Sequence, residues 1–149
     1  SGLYDGKAVI FCDAEDSDPN ALKTIKNMYN YLNMRPLYMN AYNHDVHVAY
    51  VSHISHISSF ALALTVLDKE KNEKNIFDLA SGGFDSTVRL AKSSAEMWTT
   101  IFENNSENVI SVLDTYIDKL NDFKYAITEN KNEQVSHLIN KANRIKKIL

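Results

Sequence analysis

Two groups of side chains stand out for the chemistry they can perform. His44, His47, His53 and His56, four of the five histidines, crowd into a segment otherwise rich in Ala, Val, Ile and Leu. An imidazole taken out of water needs hydrogen-bond partners, so this density of polar rings requires an explanation. At about 100° per residue in a helix, His53 and His56 share a face with Ala49 and Phe60, while His44 and His47 point elsewhere. The pair at i, i+3 supplies two ligands where a zinc site takes three or four, and no HExxH pattern adds a base, so no metal is expected. Two explanations stay open: each ring is satisfied by a backbone carbonyl or a neighbouring helix, or the rings line a polar pocket in a helical core. Ser52, His53 and Asp45 resemble a hydrolase triad only superficially, because adjacent helical side chains diverge by about 100°.

The second group is Gly82-Gly83-Phe84-Asp85-Ser86-Thr87-Val88-Arg89. Glycine lets backbone approach a ligand, and an arginine about one turn into a following helix, expected over Thr87 to Lys92, presents a planar fork of donors to a carboxylate. A tight turn with a surface Arg-Asp pair explains the same residues. Trp98, the single tryptophan, fits a core position or a pocket wall.

These groups need elements to hold them. Lys7 to Cys12 reads as a strand with Cys12 buried; Asp18-Pro19 reads as an N-cap and first helical residue. Leu22, Ile25, Tyr29 and Leu32 follow at helical spacing, and Arg35-Pro36 closes the pattern before an extended Leu37-Tyr38-Met39. Residues 1–39 thus form one β-α-β unit, the edge of a larger parallel sheet, as though cut from a longer chain. Residues 40–149 read as helical. From the N-cap Asn40 a helix should run to Leu67, apolar on more than one face and therefore buried. The polar tract Asp68 to Asn75 should be a solvated helix end and loop. Ser93-Ser94-Ala95-Glu96 reads as a capping box for a helix over Glu96 to Asn104, with Met97, Ile101 and Trp98 turned inward. Val109, Leu113, Tyr116, Leu120, Phe123 and Ile127 form a seam on the next helix. Val135, Leu138, Ala142, Ile145 and Leu149 repeat the spacing on a last one, paired antiparallel with it.

Composition excludes several classes. A chain of 149 residues with 44% hydrophobic content holds one well-buried core, and four Gly and two Pro favour long helices. A formal charge of -3 offers no cationic field, so no nucleic-acid partner is expected. The closing basic residues Lys141, Arg144, Lys146 and Lys147 suit a helix C-terminus. One cysteine rules out an internal disulfide and fits a reducing compartment. No apolar run approaches the roughly 20 residues that span a bilayer, and no signal segment opens the chain, so a cytoplasmic location is expected. No GxGxxG or Walker pattern occurs, so the chain is not expected to bind a dinucleotide by itself.

HDVHVAYVSHISH resembles the prephenate dehydrogenase signature HDxxxAxxSHLPH, and SGGFDSTVRLAKSSAEMW resembles that family's GGGFxDxTRIAxSxPxMW. The flanks LYDGKAVIFC and NKANRIKKIL are similar to the family too, in the same order and spacing. The resemblance implies a mainly α fold, a helical dimerisation bundle like the C-terminal domain of 6-phosphogluconate dehydrogenase, preceded by a β-α-β remnant of a Rossmann domain. In that family the upstream domain binds NAD or NADP and carries the catalytic histidine, so no catalytic residue is expected in this chain and no cofactor on it alone. The reaction implied is oxidative decarboxylation of prephenate to 4-hydroxyphenylpyruvate in tyrosine biosynthesis, by a homodimer. Carried over by position, His56, His53 and Ser52 belong to the substrate pocket, Arg89 pairs with a substrate carboxylate, Gly82 lets main chain approach the ligand, and Trp98 lines or supports the pocket. Two positions depart from the pattern: Ser55 replaces proline, which should ease a helix kink, and Ser81 replaces the first glycine, which should restrict the turn. A rival reading is a non-catalytic helical module for dimerisation or aromatic-ligand sensing.

Overall fold

The computed structural model describes residues 2–71 and 76–148. The chain divides into two compact units, Ser1–Val51 and Ser52–Leu149.

In the first unit, strands β1 (Ala8–Cys12) and β2 (Arg35–Met39) pair in parallel across helix α1 (Pro19–Tyr31), with Val9 opposite Pro36 and Cys12 opposite Met39. The start of α1 is as the sequence dictates. The Asp18 carboxylate accepts the N–H groups of Asn20 and Ala21 at 3.0 and 2.8 Å, and Pro19 follows it. The end of α1 comes earlier than Arg35-Pro36. Asn33 takes a left-handed φ of 54°, its N–H reaches the Asn30 carbonyl and the Met34 N–H reaches that of Tyr29. This paired closure lets β2 begin at Arg35. Cys12 is exposed, not buried, because the two-stranded sheet covers too little of its own surface. Helix α2 (Ala41–Val48) follows, its N-cap Asn40 accepting the Asn43 N–H at 2.7 Å.

The helical run from Ala41 to Glu70 is interrupted by one π-helical turn, Ala49–His53, before α3 (Ile54–Glu70). The run is irregular even though Ser55 stands where the signature has proline, so the irregularity does not need that ring. The expected burial of this run is not found. His53 and Ser59 are buried, but Tyr50, Val51, Leu64 and Leu67 are exposed, because its apolar residues surround more than one face and neighbours cover only part of it. Against expectation, Ala41–Glu70 is also long and apolar enough to cross a membrane by length and composition, with a mean hydropathy of 1.3 over 18 residues. Averaging over the window outweighs the histidines and serines that break up the run.

The second unit continues with α4 (Gly82–Val88), α5 (Ala95–Asn104), α6 (Ser106–Thr128) and α7 (Asn132–Ala142), α4 and α6 packing against α3. Residues 72–75 of the expected solvated loop lie outside the described residues. Asp68 and Lys71 on its near side are solvated and paired at 2.7 Å. Helix α5 is capped by Ser94, which accepts the Met97 N–H at 3.4 Å, so the expected box is displaced by one residue. Trp98 turns inward as expected, whereas Met97 is half exposed. On α6 the expected seam is buried at Val109 and open at Leu120 and Ile127. The α6–α7 turn closes with Asn130 at φ 53°, its N–H on the Ile127 carbonyl and the Lys131 N–H on that of Ala126. The last helical pattern tightens into a 3-10 turn over Asn143–Lys147, and Leu149 lies outside the described residues. Because only a residue tolerant of left-handed backbone fits position 130, Asn130→Ala should lower stability by about 1 to 2 kcal/mol in chemical denaturation; an unchanged midpoint refutes the assignment.

Candidate functional site

Helices α3 and α5 bring together residues far apart in the sequence. The His56 ring lies flat on Trp98, centroids 3.5 Å apart and planes at 27°. His53 meets the same indole edge-on at 5.9 Å and Phe102 at 6.3 Å. His53 and His56 therefore do share a face, as their spacing requires. His56 Nδ1 lies 3.0 Å from the Ser52 carbonyl oxygen, which can only accept, so Nδ1 carries the proton. Ser52 thus acts here through its main chain. His44 belongs to the first unit, where its Nδ1 lies 2.9 Å from Asp45 Oδ1. His47 is exposed. Among the described residues no group of three or more His, Cys, Asp or Glu can hold a metal.

Trp98 is also a wall of an apolar cavity of about 440 Å3, whose lining includes Phe60, Leu64, Leu67, Ala91 and Phe102. Its Nε1 is buried, without a hydrogen-bond partner among the described residues. Such a donor forfeits its hydration, and the stack with His56 and the packing of Phe102 must offset that loss.

Gly82 and Arg89 sit on a different element, against α3. The expected helix from Thr87 is instead α4, which begins at Gly82 itself, so Arg89 stands at its C-terminal end and opens the 3-10 turn Arg89–Lys92. Helix formation needs only that Ser81 be extended (φ −104°, ψ 175°), which any residue adopts, so the serine does not restrict the turn. Gly82 does not have a positive φ, and a Cβ there meets nothing within 4 Å. Arg89 is exposed, and neither it nor Gly82 lines the apolar cavity. Ser59, buried on α3, donates to the Thr87 carbonyl at 3.1 Å and ties α4 to α3 two residues before the arginine.

Sequence reasoning missed two residues. Ser59 was hidden among the serines of α3. Asn105 sits at the break between α5 and α6 with Nδ2 3.3 Å from His53 Nδ1, and its Oδ1 accepts from Asn108 Nδ2 at 2.8 Å. The run Asn104-Asn105-Ser106 between two apolar patterns marks the break but not the partner.

The fold is a helical bundle with an adjoining strand-helix-strand edge, as in dehydrogenases of known structure. It superimposes on prephenate dehydrogenase from A. aeolicus, solved with hydroxyphenyl propionate and NAD+, with a TM-score of 0.86 and 31% identity, over 99% of this chain and 51% of that one. Arogenate dehydrogenase from Synechocystis shares the fold at a TM-score of 0.78 and 21% identity, over 98% of this chain and 53% of that one. Among curated proteins, prephenate dehydrogenase of Bacillus subtilis (strain 168) is 23% identical over 137 residues, 89% of this chain and 36% of that protein. The chain thus spans about half the length of these solved relatives, and less of the curated one. Residues 40–141 match the family "Prephenate dehydrogenase, dimerization domain". The chain belongs to that family.

The turn ahead of α1 does not suit the pyrophosphate of a dinucleotide such as the NAD+ bound by the A. aeolicus relative. A pyrophosphate needs unoccupied N–H groups at a helix N-terminus. Here the β1–α1 turn carries Asp13, Glu15, Asp16 and Asp18, and the Asp18 carboxylate already holds the leading N–H groups of α1.

Proposed function

We propose that this chain is the dimerisation and substrate-binding part of an NAD- or NADP-dependent prephenate dehydrogenase, a cytoplasmic enzyme that oxidatively decarboxylates prephenate to 4-hydroxyphenylpyruvate in tyrosine biosynthesis. On this reading the nucleotide domain lies upstream, residues 1–39 belong to its edge, residues 40–149 form the helical domain, and the chain is inactive alone. The observation that carries it is the meeting of the two motif segments at Trp98, where His56 stacks and His53 abuts. A ligand of the phenylpropanoid kind, such as the hydroxyphenyl propionate bound by the A. aeolicus relative, suits an apolar wall with a few polar groups. On this reading His56, His53 and Ser52 contribute polar groups to the substrate site beside Trp98, Gly82 lets main chain approach the ligand, and Arg89 takes a carboxylate from the end of α4, although of these residues only Trp98 lines the apolar cavity.

The test is the full-length protein assayed for reduced nicotinamide with prephenate. Prephenate-dependent turnover is expected; its absence with sound folding favours a helical module without catalysis. Leu64, Ile110 and Ile127, each more than half exposed, form the kind of apolar surface that an obligate interface covers. A homodimer is therefore expected by light scattering at micromolar concentration, and a monomer there refutes it.

A further inference from the structure

We propose that Asn105 is a positioning residue that holds His53 in the tautomer opposite to that of His56; its bearing on turnover rests on the functional reading above. His56 donates Nδ1–H to the Ser52 carbonyl at 3.0 Å, which leaves Nε2 of the neutral ring bare. His53 is placed differently. Its Nδ1 lies 3.3 Å from Asn105 Nδ2, and an amide nitrogen can only donate.

The orientation of that amide follows from its surroundings. Asn105 Oδ1 accepts from Asn108 Nδ2 at 2.8 Å, at the N-terminal end of α6, where the helix field favours an oxygen over an NH2 group. The backbone of Asn105 does the structural work of the α5–α6 break, its N–H on the Ile101 carbonyl and its own carbonyl accepting from Val109 N–H. Its side chain makes no capping bond to α6 and is turned to Asn108 and His53. His53 Nδ1 therefore accepts, and its proton resides on Nε2. Two rings on one helical face, both against Trp98, thus carry unlike Nε2 atoms: an acceptor on His56 and a donor on His53.

Nitrogen NMR of full-length protein labelled with 15N-histidine, above the pH at which imidazoles protonate, reads each tautomer directly. His53→Gln and His56→Gln identify the two signals. The expected wild-type result is a bare Nδ1 on His53 and a protonated Nδ1 on His56. Asn105→Asp preserves size and the backbone bonds but replaces the donor with an acceptor, so it should protonate Nδ1 of His53 and leave His56 unchanged, which also reports intact packing. A protonated Nδ1 on wild-type His53 overturns the proposal, and that measurement needs no variant to fold. A His53 signal unmoved by Asn105→Asp beside an unchanged His56 also overturns it.

In turnover, Asn105→Asp should reduce kcat/KM by about tenfold, the scale of one net hydrogen bond, and should cost nothing further in a His53→Gln background. Equal losses in both backgrounds contradict positioning through His53. If the tautomers are as expected but prephenate is not turned over, the functional reading fails and the assignment of Asn105 stands.

Discussion

Replacing Arg89 with alanine in the full-length protein is expected to weaken prephenate binding by about 1.5 to 3 kcal/mol, the usual worth of a hydrogen bond to a charged group. Steady-state kinetics should register this chiefly as a rise in KM. Arg89 is exposed at the end of α4 and makes no ion pair among the described residues, so its removal should leave the melting temperature nearly unchanged. Arg89→Lys separates charge from geometry: an ammonium keeps the attraction but not the two-pronged fork, and should recover only part of the affinity. Unaltered kinetics in Arg89→Ala would remove the arginine from the substrate site.

The second large effect concerns stability. Trp98 is only 6% exposed and touches His53, His56 and Phe102. Trp98→Ala should cost about 3 to 5 kcal/mol, through lost burial and the cavity left behind. Trp98→Phe should cost far less, because the indole N–H it removes has no partner among the described residues and a ring remains beneath His56. Denaturant titration of both variants decides the point: equal losses imply a bond at Nε1, while two small losses imply that the stack is peripheral.

Local rules read well from the sequence. Asp18-Pro19 starts α1 because cap and proline act within a few residues of themselves. The i, i+3 spacing placed His53 and His56 on one face, and the parallel pairing of β1 with β2 follows from the helix between them. What escaped depends on distance or on small angular differences. Ser93 and Ser94 are chemically equal caps and only packing chose Ser94; Trp98 turns inward as expected, while Met97 does not. The start of α4 at Gly82 was obscured because glycine is a poor helix former, yet the first turn tolerates it. Asn105 lies 52 positions from His53, and no periodicity links an asparagine at a helix break to a ring on another helix. The exposure of Leu64, Leu67 and Ile127 was invisible for a related reason: pattern tells which residues seek cover, not which surface supplies it.

The two-stranded sheet carries a consequence for handling the molecule. With β1 and β2 paired only to each other among the described residues, each strand has one flank of main-chain donors and acceptors facing outward. Such flanks recruit any extended peptide that meets them. The polypeptide would be prone to self-association through its backbone, and a lysine or proline placed on those flanks should suppress it.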